Sequence, residues 1–207
     1  GVARYFCHAD GLVALTHAAR FAADKKIPIF ILGGGTNVLF ADGTFKGLVV
    51  KPDIRFIGVV DALPETVALS VGAGTSVHEL LELCAERGFS GLEWAGGLPG
   101  TVGGAIRGNA GAFGGEIKDS VVDVSSADIS GLTPVIAKRG VRECAFGYRD
   151  SAFKNSAKGE VILSATFSLV RSVPQAVRSA ILEKVAWRAA RQPLDYPNVG
   201  SIFKNVA

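Results

Sequence analysis

Apolar residues along the chain follow the spacing of several short helices and strands. They recur every three or four positions from Leu12 to Ala22, which predicts a helix over residues 12–26. Lys25 and Lys26 close that helix with charges that suit a helix C-terminus. The apolar run 27–32 predicts a strand, and residues 47–50 predict a second strand that Pro52 ends.

The pattern changes after residue 54, where β-branched runs predict strands over residues 67–71, 121–124 and 160–163. One helix lies between them: Ser76 and Glu79 form a capping-box pattern, and Gly88 supplies the stop. A last helix is predicted over residues 175–191, with an apolar face formed by Val177, Ile181 and Val185. The order of elements indicates an α+β protein.

Composition narrows the class of protein. The 207 residues, 48% of them hydrophobic, are enough for a substantial core in one or two domains. The balance of 22 basic and 19 acidic residues, with no basic cluster among aromatics, argues against a nucleic-acid partner. No apolar run is long enough to span a bilayer, and the N-terminus does not resemble a signal peptide. The three widely spaced cysteines suit a reducing cytoplasm and suggest neither a disulfide framework nor a metal site.

Residues 96–116 carry the strongest chemical signal, because nearly half of them are glycine. Each glycine inside a helix or strand costs about 0.5–1 kcal/mol relative to alanine, so we expect neither element to run through this stretch. Glycine lets main-chain N–H groups approach a ligand without an intervening side chain. An anionic group such as a diphosphate is a common occupant of that lining.

A second glycine turn, residues 33–37, follows the strand predicted over residues 27–32. It lacks the lysine of a Walker A loop and the third glycine of a dinucleotide fingerprint, since Val38 stands there. We therefore expect the N–H groups of residues 33–37 and 97–104 to surround one diphosphate jointly, without a lysine. Gly72 and Gly74 also miss the fingerprint, and we interpret them as a plain turn.

Six motifs, which include the two glycine segments, occur in a fixed order along the chain. They are Leu32-Gly33-Gly34-Gly35-Thr36-Asn37, Gly91-Leu92-Glu93, Gly97-Leu98-Pro99-Gly100-Thr101-Val102-Gly103-Gly104-Ala105, Asn109-Ala110-Gly111-Ala112-Phe113-Gly114-Gly115-Glu116, Tyr148-Arg149-Asp150-Ser151 and Gly200-Ser201-Ile202-Phe203-Lys204-Asn205. Together they resemble the UDP-N-acetylenolpyruvoylglucosamine reductases, the MurB family of peptidoglycan synthesis, in its shorter type II form. The resemblance covers essentially the whole chain.

The resemblance implies a flavin-binding fold of the vanillyl-alcohol-oxidase (PCMH) type, built from two small α+β domains. We predict a first FAD-binding subdomain over residues 1–52 and a second, with its exit helix, over residues 53–193. Residues 194–207 would begin a substrate-binding domain that this sequence lacks almost entirely. We therefore expect the chain to be a fragment, and the glutamate that is the family's third catalytic residue has no counterpart in it.

The resemblance also implies an NADPH-driven, FAD-dependent reduction of UDP-N-acetylglucosamine enolpyruvate to UDP-N-acetylmuramate in the cytoplasm, with the FAD bound non-covalently. Arg149 matches the arginine that stabilises the substrate carboxylate, and Ser201 matches the serine that protonates the intermediate. Phe113 replaces a common tyrosine, so a hydrogen bond from that position is lost. The cofactor-binding positions carried over are Gly33, Gly34, Gly35, Thr36, Asn37, Gly97, Pro99, Gly100, Thr101, Val102, Gly103, Gly104, Asn109, Ala110, Gly111, Gly115, Glu116 and Ile117.

Three alternatives stay open at this point. Without the resemblance, Arg149 would be read as a surface partner of its neighbour Asp150. Another oxidoreductase with the same flavin fold would keep the glycine turns. A non-catalytic FAD-binding module would keep them too, and it would need no acid or glutamate.

Overall fold

The computed structural model describes residues 1–131, 133–155, 159–193, 195–196, 200 and 203–205. Within these residues the chain forms eleven strands, five α-helices and two short 3₁₀ helices, Glu93–Ala95 and Ile117–Asp119. The strands are β1 (Val2–Ala9), β2 (Ile29–Ile31), β3 (Thr44–Pro52), β4 (Ile57–Ala62), β5 (Thr66–Gly72), β6 (Phe89–Ser90), β7 (Gly111–Ala112), β8 (Gly115–Glu116), β9 (Val121–Asp128), β10 (Val135–Gly140) and β11 (Glu160–Arg171). The helices are α1 (Leu12–Asp24), α2 (Val77–Arg87), α3 (Val102–Arg107), α4 (Ala152–Asn155) and α5 (Pro174–Ala189).

A small parallel sheet contains the first three strands in the order β1-β3-β2. Parallel strands need a crossover connection, and α1 supplies it between β1 and β2, which lie on either side of β3. The buried positions of α1 include three alanines, Ala18, Ala19 and Ala22, so the helix can lie close to the sheet. The periodicity of residues 12–22 therefore predicted this helix correctly, although it ends at Asp24.

The larger sheet is antiparallel, with its main strands in the order β10-β9-β11-β5-β4. Its central strand β11 has 12 residues and pairs with both β5 and β9. The three strands predicted after residue 54 correspond to β5, β9 and the start of β11. Each is longer than its apolar run: β9 continues through Ser125 and Ser126, and β11 continues through Ser164 and Thr166 together with further apolar residues to Arg171.

Helix α2 has the ends that the sequence predicted. The Ser76 hydroxyl accepts from the Glu79 N–H at 3.1 Å, and the Glu79 carboxylate accepts from the Ser76 N–H at 2.8 Å. Gly88 ends the helix in the left-handed conformation, with φ of 69°. Cys84 is buried on its inner face, and burial raises the pKa of that thiol to about 12, which agrees with a packing role.

Several elements differ from the predictions. Helix α3 and the short pair β7 and β8 run through the glycine-rich stretch, where we expected no regular structure. Thr101 starts α3 by accepting from the Gly104 N–H at 3.4 Å, so a side-chain cap supports a helix despite its glycines. Strands β1, β4 and β10 were missed. Half or more of the residues of β4 and β10 face solvent, and in β1 the apolar residues Val2 and Phe6 lie on the exposed face, so its sequence does not alternate between apolar and polar residues. Helix α5 starts at Pro174, and Val185 on its predicted apolar face is 39% exposed.

The hydrophobic residues form two buried clusters. The larger one joins β5, α2, α3 and β11, while the smaller one joins α1 and the parallel sheet to Ala127, Ile129 and Val161 of the other sheet region. Strand β3 ends at Pro52, and the division of the chain into three domains stays a prediction. No helix among the described residues is long and apolar enough to cross a membrane.

Candidate functional site

The two glycine segments are in direct contact. A Cβ added to Gly34 would lie 2.7 Å from the Cα of Gly100, and one added to Gly100 would lie 2.9 Å from Oγ1 of Thr36. A Cβ on Gly33 would lie 3.0 Å from Oγ1 of Thr101. The turn after β2 therefore packs against the segment that leads into α3, which is compatible with the predicted joint binding of a diphosphate. Gly34 is glycine because another backbone occupies the place of its side chain.

The N–H groups of the two segments differ in what they bind. Among the described residues, the N–H groups of residues 33–37 have no protein acceptor, and the same holds for those of Gly100 and Thr101. The Val102 N–H donates to the Thr75 carbonyl at 2.9 Å, and the Gly103 N–H donates to the Ala73 carbonyl at 2.9 Å. Within the described part of the chain, residues 33–37, 97, 100 and 101 of the expected donor set keep free N–H groups, whereas Leu98, Val102, Gly103 and Gly104 use theirs within the protein. The binding of a diphosphate by the free groups stays a prediction.

The turn of Gly72 to Thr75 is more than the plain turn that we expected. Its carbonyl groups at Ala73 and Thr75 hold the start of α3 in place. A Cβ on Gly103 would lie 2.9 Å from the Cβ of Ala73, so this packing already requires a glycine at position 103. The turn forms a shelf that fixes the second glycine segment to the end of β5.

These residues fit an FAD diphosphate. A diphosphate is an acceptor-rich anion, and free N–H groups from two backbone segments in contact are the donors that it requires. Gly104 is exposed beside Gly33, and a Cβ added there would meet only Oγ1 of Thr101 at 3.4 Å. No histidine or cysteine lies in the 33–37 turn, so the cofactor would be held non-covalently.

Gly104→Ala separates approach of the ligand from packing of the protein. The protein has room for the methyl group, and alanine favours a helix, so the free energy of unfolding should stay equal or rise by up to about 1 kcal/mol. If the backbone of α3 faces the diphosphate, the same methyl group should weaken FAD binding about tenfold. Flavin fluorescence titration measures the affinity, and thermal unfolding measures the stability.

Gly11→Ala is the matched control, because a Cβ on Gly11 would have nothing within 4 Å and the residue lies at the start of α1. Unchanged FAD affinity in Gly104→Ala would remove α3 from the cofactor site.

The turn that follows α3 is held together by Asn109. Asn109 is completely buried with a φ of 40°, and its amide nitrogen donates to the Gly147 carbonyl at 2.8 Å and to Oε2 of Glu116 at 3.1 Å. Its carbonyl oxygen accepts from the Lys118 N–H at 3.3 Å. The side chain of Asn109 is therefore committed to the protein. Ile117 is also buried and its N–H donates to the Ala110 carbonyl, so it offers a cofactor no free donor.

The sequence analysis missed three residues that pack against this turn, namely Trp94, Trp187 and Arg188. Gly115 lies on the ring of Trp94, where a Cβ would come within 2.5 Å. Phe113, with φ of 51°, packs edge-to-face on Trp187, with the two ring centroids 5.0 Å apart, and the guanidinium of Arg188 lies over the Phe113 ring. Arg188 also donates from Nε to the Gly96 carbonyl at 2.9 Å, and burial lowers its pKa. Two signals in the sequence could have pointed to these residues. Trp94 stands just before Gly96 and Gly97, and the last predicted helix carries Arg188.

Arg149 lies beside the same turn in a left-handed conformation, with φ of 56°. Its Nη2 donates to the Gly111 carbonyl at 2.8 Å, and a Cβ on Gly111 would lie 3.3 Å from its Nη1. Asp150 is not its partner: that carboxylate accepts from Asn155 and from the Ser151 N–H. Among the described residues no carboxylate oxygen lies within 4.0 Å of the Arg149 guanidinium. Arg149 is therefore a half-buried cation with unused donors beside Gly111, in the turn after α3.

Ser201 lies outside the described residues. The nearby Asn205 N–H donates to the hydroxyl of Tyr148 at 3.3 Å, so residues 203–205 reach the segment that carries Arg149. Among the described residues, histidine, cysteine and carboxylates form no group that could hold a metal.

Comparisons with known proteins agree with this geometry. Residues 8–133 match a family model described as an FAD binding domain. A solved structure of UDP-N-acetylenolpyruvylglucosamine reductase from Thermus caldophilus covers 97% of the chain with a TM-score of 0.76 at 24% identity, with the chain covering 68% of it. Cholesterol oxidase from Brevibacterium sterolicum covers 80% of the chain, which covers 34% of that protein, with a TM-score of 0.59 at 14% identity. The two likenesses show the fold, which is α+β and of the PCMH type.

The chain is thus an FAD-binding domain protein. Relatives named UDP-N-acetylenolpyruvoylglucosamine reductase match it along nearly its whole length: the one from Acaryochloris marina is 35% identical over 99% of the chain and 65% of its own length. The one from Leuconostoc mesenteroides is 33% identical over 99% of the chain and 67% of its own length. The chain belongs to the UDP-N-acetylenolpyruvoylglucosamine reductase family. It spans about two-thirds of the length of these relatives.

Proposed function

We propose that the whole protein reduces UDP-N-acetylglucosamine enolpyruvate to UDP-N-acetylmuramate with NADPH, in the cytoplasm. The observation that carries this proposal is Arg149, a half-buried cation beside Gly111 in the turn after α3, with donors that no carboxylate in the described part of the chain uses. When bound, FAD supplies the hydride chemistry between NADPH and the substrate double bond. Residues 33–37 with Gly100 and Thr101 would hold its diphosphate.

Arg149 gives the substrate its position and its charge stabilisation. Adding a hydride to a double bond conjugated with a carboxylate places negative charge on that carboxylate. A guanidinium is permanently charged and holds a carboxylate in a two-pronged fork, which lysine does not. The bond to the Gly111 carbonyl fixes one edge of the guanidinium and leaves the other edge for the substrate.

Ser201 is the proposed proton donor to the α-carbon of the substrate. Support for this role comes from the Gly200-Ser201-Ile202-Phe203 motif and from the contact of Asn205 with Tyr148, one residue before Arg149. A serine hydroxyl is a weak acid, so it serves here only because the carbanion it meets is strongly basic.

The two half-reactions test the proposal on the complete protein loaded with FAD. NADPH added without oxygen should bleach the flavin absorbance, and the enolpyruvyl substrate added next should restore it. Bleaching without restoration would replace this function by another oxidoreductase activity. No response to NADPH would leave a flavin-binding module without this catalysis.

A further inference from the structure

The ion pair of Lys118 and Glu116 lies next to Arg149, the proposed substrate-binding arginine. Lys118 Nζ lies 2.5 Å from Oε2 of Glu116, and the Asn109 amide donates to the same oxygen at 3.1 Å. The Lys118 N–H in turn donates to the Asn109 carbonyl oxygen. These three residues form a closed set, and its one carboxylate is held by two donors.

Glu116 is within reach of Arg149 without pairing with it. Both side chains approach the same side of Gly111: a Cβ built there would lie 2.8 Å from Cγ of Glu116 and 3.3 Å from Nη1 of Arg149. Yet no ion pair within 4.0 Å joins the two among the described residues. The Lys118 ammonium is the main cause that holds the pKa of Glu116 below its usual value, with smaller contributions from Asn109 and Arg149. Glu116 is therefore a carboxylate whose charge persists beside the guanidinium.

A free glutamate in this place would compete with the substrate. Arginine and carboxylate form strong two-pronged pairs, and a carboxylate on the protein needs no binding step to occupy the fork. Only its existing partners keep Glu116 from turning toward Arg149. Asn109 is buried and cannot move with the side chain, whereas Lys118 is a half-exposed cation that supplies the charge.

We propose that Lys118 is a positioning residue: it holds the Glu116 carboxylate away from Arg149 and so keeps the guanidinium open for the carboxylate of the substrate. This inference rests on the role proposed for Arg149. It extends that role to specificity, since an open guanidinium favours an anionic substrate over its uncharged analogue.

Lys118→Met in the complete, FAD-loaded protein tests the inference. The freed Glu116 should pair with Arg149, so the dissociation constant for the enolpyruvyl substrate should rise about tenfold or more, as expected for losing a hydrogen-bonded charge pair. Bleaching of the flavin by NADPH should keep its rate. Titration of the flavin absorbance gives the dissociation constant, and Lys118→Arg should restore it.

The double variant Glu116→Gln/Lys118→Met decides the mechanism. It removes the competing charge, so it should recover most of the affinity that Lys118→Met loses. Failure to recover would mean that Lys118 contacts the substrate itself, and wild-type affinity in Lys118→Met would also overturn the inference. If Lys118→Met does not retain FAD, Lys118→Gln is measured instead, with the same two outcomes.

The control is Lys138→Met, which removes another exposed lysine paired with a carboxylate, Asp123, on the larger sheet. It should leave substrate affinity unchanged. A complete wild-type protein that does not bind or reduce the substrate would refute the proposed function, and that result differs from any failure of Lys118.

Discussion

Replacing Arg149 by methionine in the complete protein is expected to slow reduction of the enolpyruvyl substrate about 10²–10³-fold, the usual loss when a preformed donor to developing charge is removed. The guanidinium of Arg149 lies beside Gly111, which fixes its orientation through one hydrogen bond and leaves other donors unused. Bleaching of the flavin by NADPH needs no such charge and should proceed at the wild-type rate. Stopped-flow absorbance separates the two half-reactions.

The control for this prediction is Arg87→Met, which removes an exposed arginine from the last turn of α2 and should affect neither half-reaction. Arg149→Lys sharpens the test because it keeps the charge and loses the fork, so it should remain at least tenfold slower than wild type. Equal losses in both half-reactions would assign Arg149 to the cofactor or to stability.

Gly34→Ala should abolish retention of FAD, with an affinity at least 10²-fold weaker than that of the wild type. The new Cβ would lie 2.7 Å from the Cα of Gly100, a separation that real Cβ atoms essentially never show. Because the obstacle is backbone, it cannot rotate away, and the two glycine segments must separate. The N–H groups of residues 33–37 would then lose their position relative to those of Gly100 and Thr101.

Flavin content after gel filtration measures this effect, and Gly58→Ala is the control. Gly58 lies in β4, and a Cβ there would have nothing within 4 Å. Circular dichroism should show that Gly34→Ala keeps its secondary structure, since Gly34 belongs to no helix or strand. Full flavin content in Gly34→Ala would show that the two segments need not touch to bind FAD.

Local signals in the sequence predicted the parts of the fold that depend on local chemistry. The capping box at Ser76 and the stop at Gly88 gave the ends of α2, because each acts within a few residues. Strand β10 lies at a sheet edge with exposed Val135 and Ile136, so its sequence lacks the alternation that a half-buried strand shows. Its pairing depends on β9, which no local pattern reveals.

The candidate site divides in the same way. The glycine motifs predicted that residues 33–37 and 97–104 lie around one diphosphate, because glycine lets the backbone approach a ligand, and the observed contact of Gly34 with Gly100 places the two segments side by side. They did not predict that the N–H groups of Val102 and Gly103 donate to the carbonyls of Thr75 and Ala73, since that depends on a turn in another part of the chain. The packing of Trp94 and Arg188 against the turn after α3 is long-range as well, and it leaves no motif of its own.

The unequal hydrogen bonding of the two glycine segments determines where the entropy of binding is lost. Fixing the backbone of one residue costs about 1–2 kcal/mol. Val102 and Gly103 are already fixed in the folded protein, because their N–H groups donate to the carbonyls of Thr75 and Ala73, just after the end of β5. Among the described residues, those from 33 to 37 have no such backbone bonds, so more of this cost is left for the binding of the ligand. A change that stiffens this one loop while leaving Gly34 intact would therefore tighten FAD binding without adding a contact.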